Sequence, residues 1–156
     1  MDCILPKVSA EMNASLCAQY MEKEIHDALF QIGPLKAPGA DGFPACFYHR
    51  NWVVLKVEII AAVLEFFDTG VMPEGVNDTA IVLIPKVQHP KELKDLRPIS
   101  LCNVLYKIVS KCMVTMLCPL LMDLISDNQS AFILGRLISD NSILAFECIH
   151  QIQSLR

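Results

Sequence analysis

The sequence predicts an α+β fold, mostly helical, with one short antiparallel β-hairpin. Apolar residues recur at helical spacing in successive stretches along the chain. Two short β-branched and aliphatic runs, at residues 80–84 and 99–101, are bounded by proline and charge, as strands of a hairpin are. A length of 156 residues suits a single domain with a real core.

The first clear helix starts near Met21, where Ile25, Ala28, Leu29 and Ile32 fall on one face. Glu22 and Glu24 sit in its first turn and favour the helix dipole, and Gly33-Pro34 ends it. Upstream, Leu16 and Tyr20 give only a poor helical pattern. Lys36-Ala37-Pro38-Gly39-Ala40-Asp41-Gly42 follows as a tight loop. Its amides are able to face an anion with Lys36 alongside, yet the same string serves as an ordinary turn between helices. It is neither a Walker loop nor a dinucleotide fingerprint. Pro44 suits a helix start, and Phe43, Phe47, Tyr48 and Trp52 form an aromatic stripe assigned to the core. A second helical pattern over residues 54–68 carries Ile59, Ile60, Val63, Leu64 and Phe67, with Gly70 as its C-terminal cap. Residues 71–78 form a loop into the hairpin.

In the hairpin, Pro85 closes the first run and Pro98 lies at the start of the second. Neither donates an amide, so each belongs at a strand end or a sheet edge. Lys86 follows the first strand and Arg97 starts the second, so pairing brings both cations to one end. An ammonium beside a guanidinium fork suits a polyphosphate. A solvated charged turn fits the same composition.

Beyond the hairpin, Asn103 is the expected N-cap of a long helix with Leu105, Ile108, Val109, Cys112, Met116 and Leu117 inward. Lys107 and Lys111 share one of its faces. Pro119 is expected to kink or divide it. Ser126-Asp127-Asn128 reads as a turn, residues 129–132 as extended, and Gly135-Arg136 as another turn. Ser139 or Asp140 caps a last helix through Ile143, Leu144, Phe146 and Ile149.

Composition limits the function classes. Hydrophobic residues make up 53% of the chain and charged ones 19%. No run of about eighteen uncharged apolar residues occurs, and residues 57–67 include Glu58 and Glu65. The N-terminus lacks a signal-peptide pattern, so the expectation is an intracellular protein, nuclear or cytoplasmic, with no membrane partner. The apolar excess is expected to cover a neighbouring domain or to drive self-association. A net charge of −4 argues against autonomous nucleic-acid binding. The seven cysteines are scattered without zinc-finger spacing and read as small hydrophobes in a reducing compartment; no metal site is assigned.

Several short strings then occur together in one order. They are Lys36-Ala37-Pro38-Gly39-Ala40-Asp41-Gly42-Phe43, Leu83-Ile84-Pro85-Lys86 and Leu96-Arg97-Pro98-Ile99-Ser100-Leu101, followed by Tyr106-Lys107-Ile108, Gln129-Ser130-Ala131-Phe132, Gly135-Arg136 and Asp140-Asn141. Together they resemble the N-terminal part of the reverse transcriptase domain of non-LTR, LINE-type retrotransposons, especially those of plants. The resemblance implies the fingers and the start of the palm of a right-hand polymerase, an RNA-directed DNA polymerase, with residues 1–156 as one partial domain. It implies that Lys86 and Arg97 contact the triphosphate of the incoming nucleotide. It further implies that Lys36, Gly39, Asp41 and Gly42, with Gln129, Phe132, Gly135 and Arg136, shape the template and nucleotide path. RNA template, DNA primer and dNTP are the implied partners.

Polymerase chemistry in this family uses Mg2+ held by palm carboxylates, and residues 1–156 stop short of those motifs. Asp123, Asp127 and Asp140 flank turns and offer no substitute. The expectation is a truncated fragment, inactive alone, with no catalytic residue. Ala40 and Leu134 stand where the family usually has Pro, and Cys46, Met116 and Cys118 where basic residues are common, a pattern that suggests decay. The alternative, of a different class, is a helical protein-interaction module acting through an exposed apolar face.

Overall fold

The structure, a computed structural model, describes residues 7–126, 129, 133 and 135–154. Its elements run α1 (Ala10–Leu16), α2 (Glu22–Gln31), α3 (Ala45–Arg50), α4 (Trp52–Thr69), β1 (Thr79–Pro85), β2 (Leu96–Cys102), α5 (Val104–Leu124) and α6 (Ile138–Ser154). The expected α+β class, mainly helical with a two-stranded antiparallel sheet, is what the chain adopts.

The chain forms two compact units. One is Gln19–Met113, and the other comprises the flanking segments up to Ala18 and from Val114 onward. In Gln19–Met113, α2 contributes Ile25, Ala28 and Leu29 to a buried cluster, the residues its periodicity selects. Glu24 Oε2 accepts from the Met21 amide at 2.8 Å, closing the first turn of α2. From α4 come Ile59 and Val63, and Gly70 ends that helix with a φ of 71°, a left-handed cap that glycine adopts without penalty. The first half of α5 adds Val104, Ile108, Val109 and Cys112. Burying one such aliphatic side chain contributes about 1.5–3 kcal/mol.

Residues 79–85 and 96–102 pair in one register, from Thr79 opposite Cys102 to Pro85 opposite Leu96. The connecting loop is organised by Asp95, whose Oδ2 accepts from the amides of Lys91 (3.0 Å) and Glu92 (3.1 Å). That carboxylate holds a 3-10 turn at Leu93–Asp95 and fixes where β2 begins.

Four expectations need correction. The aromatic stripe is only partly core: Tyr48 and Trp52 pack against the cluster, whereas Phe43 and Phe47 are exposed. Pro119 does not divide α5, which is continuous to Leu124. Both Pro119 and Thr115, the residue whose carbonyl its missing amide would have met, are exposed, so water can satisfy that carbonyl. Leu117 is exposed rather than inward. The last helix opens at Ile138, so Ser139 and Asp140 lie inside its first turn.

In the second unit, α1 is capped by Ser9, whose Oγ accepts from the Met12 amide at 3.1 Å. Arg136 Nη1 donates to the carbonyls of Ser126 (2.6 Å) and Gln129 (2.8 Å). Ile133 is the buried apolar residue of this unit among those described. Along α6, Ile143, Leu144, Phe146, Ile149 and Ile152 are each more than half exposed. One described helix, Val104–Leu124, is long and apolar enough to cross a membrane, and its first half supplies core residues of Gln19–Met113.

Candidate functional site

The hairpin forms as the sequence requires, so Lys86 and Arg97 do reach the same end. Arg97 lies opposite Ile84, and the Lys86 amide donates to the Asp95 carbonyl at 2.8 Å. Lys86 thus lies one residue past β1, beside the end at which β2 starts. Both residues are exposed. The Lys86 ammonium donates to the Lys94 carbonyl at 2.9 Å, which fixes its position while leaving it two further protons. Two cations at an open strand end, one pinned and one a planar fork, can receive an anion carrying several oxygens.

At the other end of the hairpin, where Thr79 pairs with Cys102, sits a junction that sequence reasoning missed. Asn103, between β2 and α5, is 5% exposed and makes no bond to the amides of its own helix. Its Nδ2 donates to the carbonyls of Gly75 (2.9 Å) and Val76 (3.3 Å), and its Oδ1 accepts from the Asp41 amide at 3.2 Å. The expected cap therefore ties two distant loops to the end of β2, while its own carbonyl accepts from Lys107. Those partners lie 28 and 62 residues away, so no local pattern could reveal them.

Gly39 packs directly on this amide. A Cβ there would collide with Asn103 Oδ1 and the Asn103 nitrogen, so only glycine allows the loop this close. Lys107 Nζ donates to the Ala37 carbonyl at 2.9 Å, a second tether between α5 and the loop. Asp41 Oδ1 accepts from the Phe43 amide at 3.0 Å, and Gly42 takes a φ of 76°. Burial pushes the Tyr48 hydroxyl up from its ordinary pKa, and the nearby Asp41 carboxyl group pushes the same way. The loop at 36–42 is thus a built, glycine-dependent structure rather than a loose linker, with Lys36 exposed on it.

The remaining path residues fall in the other unit. Gly135 takes a φ of 80° and Arg136 holds the Ser126 and Gln129 carbonyls, which gives that guanidinium a structural task. Phe132, the turn residues Asp127 and Asn128, and the greater part of the extended segment at 129–132 lie outside the described residues. Among the described residues no group of three or more His, Cys, Asp or Glu side chains could hold a metal ion. The described residues thus offer no Mg2+ site, and no chemical step is assigned to one.

This geometry defines a helical α+β segment with a cationic end to its hairpin and an asparagine-centred loop junction at the hairpin's other end. The chain is 31% identical over 146 residues, 94% of its length, to the transposon TX1 uncharacterized 149 kDa protein of Xenopus laevis. It spans 11% of that protein's length. No family model matches the chain.

Proposed function

We propose that this chain is a retrotransposon-derived segment of an RNA-directed DNA polymerase and forms part of its nucleotide-facing fingers. The observation that carries this reading is the hairpin, whose register brings Lys86 and Arg97 to one exposed end. The likeness to a transposon protein supports the retrotransposon origin. In this reading Lys86 neutralises the triphosphate and Arg97 forks onto its oxygens. Lys36, Gly39, Asp41 and Gly42, held by Asn103, border the path of template and primer. Gln129, Gly135 and Arg136 are assigned to template or nucleotide contacts by the same reading, and Phe132, assigned with them, lies outside the described residues. Catalysis and Mg2+ binding belong to carboxylates elsewhere in a longer polymerase, so this chain alone extends no primer.

The test is a titration of the chain with a deoxynucleoside triphosphate followed by NMR. Weak, salt-sensitive binding is expected, with a dissociation constant near millimolar, or about 4 kcal/mol. Arg97→Ala should weaken it more than Lys86→Ala, since the fork sets geometry as well as charge. If both variants shift like the parent, the clamp reading is wrong.

A further inference from the structure

The two edges of the hairpin are not equivalent. The Lys86 amide bonds to the carbonyl of Asp95, its partner in register, so this is a hydrogen-bonded pair. Alternation along an antiparallel ladder then turns the amides of Ala80, Val82 and Ile84 toward β2. Those of Thr79, Ile81 and Leu83 point to the opposite edge. On β2 the same alternation turns Pro98 outward, where it has no amide to offer, so that edge is blunted. On β1 the only outward proline is Pro85, at its end.

From Thr79 to Pro85 the strand carries no charge, bulge or internal proline, the devices that normally protect an edge. Among the described residues the sheet has no third strand. Ile81 is 69% exposed and Leu83 49%, so neither is covered by packing. A two-stranded hairpin is marginal by itself in water and gains from an added strand.

We propose that β1 is an association edge that pairs antiparallel with β1 of a second copy of this chain, centred on Ile81. That register sets Ile81 opposite its own counterpart and Thr79 opposite Leu83, matching all three outward amides with outward carbonyls. A register centred on Val82 would set Thr79 opposite Pro85, whose missing amide leaves the Thr79 carbonyl without a donor. The flanking charges select the antiparallel copy. Asp78 precedes the strand and Lys86 follows it, so antiparallel pairing brings unlike charges together and a parallel copy would bring like ones together. The pairing rests on the outward amides of β1 rather than on the proposed triphosphate contact, and Lys86 borders both.

The experiment combines sedimentation and amide exchange on the intact chain. The parent should pass from monomer to dimer as concentration rises from micromolar toward millimolar. Exchange at Ile81 and Leu83 should slow roughly tenfold over that range, with α6 amides unchanged. Ile81→Lys, which sets like charges face to face, should return the dimer to monomer. So should Ile81→Pro, which removes an outward amide and leaves the β1–β2 ladder intact. Phe146→Glu on α6 should leave the dimer unchanged. A parent that stays monomeric, or a dimer broken by Phe146→Glu and not by the Ile81 variants, overturns the proposal. If an Ile81 variant misfolds, the parent's exchange decides: no concentration-dependent slowing at Ile81 and Leu83 also overturns it.

Discussion

Helices α2 and α6 both carry apolar residues at helical spacing, yet they meet opposite fates. In α2, Ile25, Ala28 and Leu29 are 0–2% exposed, inside a cluster that also takes side chains from α4 and α5. In α6, five large apolar residues each stay more than half exposed. The spacing that makes a stripe is alike in both; what differs is whether other elements cover it. Periodicity fixes which face is apolar, and only the rest of the fold fixes whether that face becomes core.

Core truncation should separate the two helices most strongly. Ile108→Ala, at a site 0% exposed, should cost about 2–5 kcal/mol in urea unfolding. Phe146→Ala, at a side chain 73% exposed, should change stability by less than about 0.5 kcal/mol. Comparable losses would mean that α6 is buried in solution and that the contrast is wrong.

A smaller effect belongs to the junction within Gln19–Met113. Asn103→Ala takes the Asn103 partner from the Asp41 amide and the Val76 carbonyl and leaves the Gly75 carbonyl with the Asp78 amide alone, and should cost about 1–3 kcal/mol. Gly39→Ala should cost a similar amount, because its Cβ would meet Asn103. Made together, the two changes should be partly non-additive, since the first removes the Oδ1 that the second strikes while the backbone at Cys102 and Asn103 stays in the way. Additive losses would show that the loop does not rest on Asn103.

A further effect, confined to alkaline solution, is one of pH. Burial, with Glu24 adding, pushes the Cys112 thiol up to about 11 from its ordinary 9.0. The folded state thus favours the neutral thiol. That contribution is fully present below pH 9.0 and is lost as the pH rises through about 11. Cys112→Ala should flatten this part of the stability profile. At neutral pH, maleimide should label exposed Cys17 and Cys148 well before buried Cys112. Equal labelling rates would place Cys112 outside the core.

Local physics made much of the fold legible. The stripe of α2, the glycine cap of α4, the two strands and the inward face of early α5 all follow from spacing over a few residues. The misses have local causes too. Pro119 reads as a kink or a break, but the carbonyl it leaves free belongs to the exposed Thr115, so the helix is not divided there. Helix α1 depends on the Ser9 cap rather than on a stripe, and a periodicity search passes over it. For the candidate site, the shared end of Lys86 and Arg97 follows from hairpin pairing alone. The role of Asn103 does not, because its partners come from loops far away in sequence and become neighbours only once α4 and the hairpin are in place.

Amide exchange measured residue by residue across the chain tests the central contrast most directly. The slowest amides should lie in α2, the middle of α4 and the first half of α5, around Ile25, Leu29, Val63 and Ile108. Those of α6 from Ile143 to Ile152 should exchange faster by roughly a hundredfold or more, because local opening there exposes little new apolar surface. Protection in α6 equal to that at Ile108 would contradict the account.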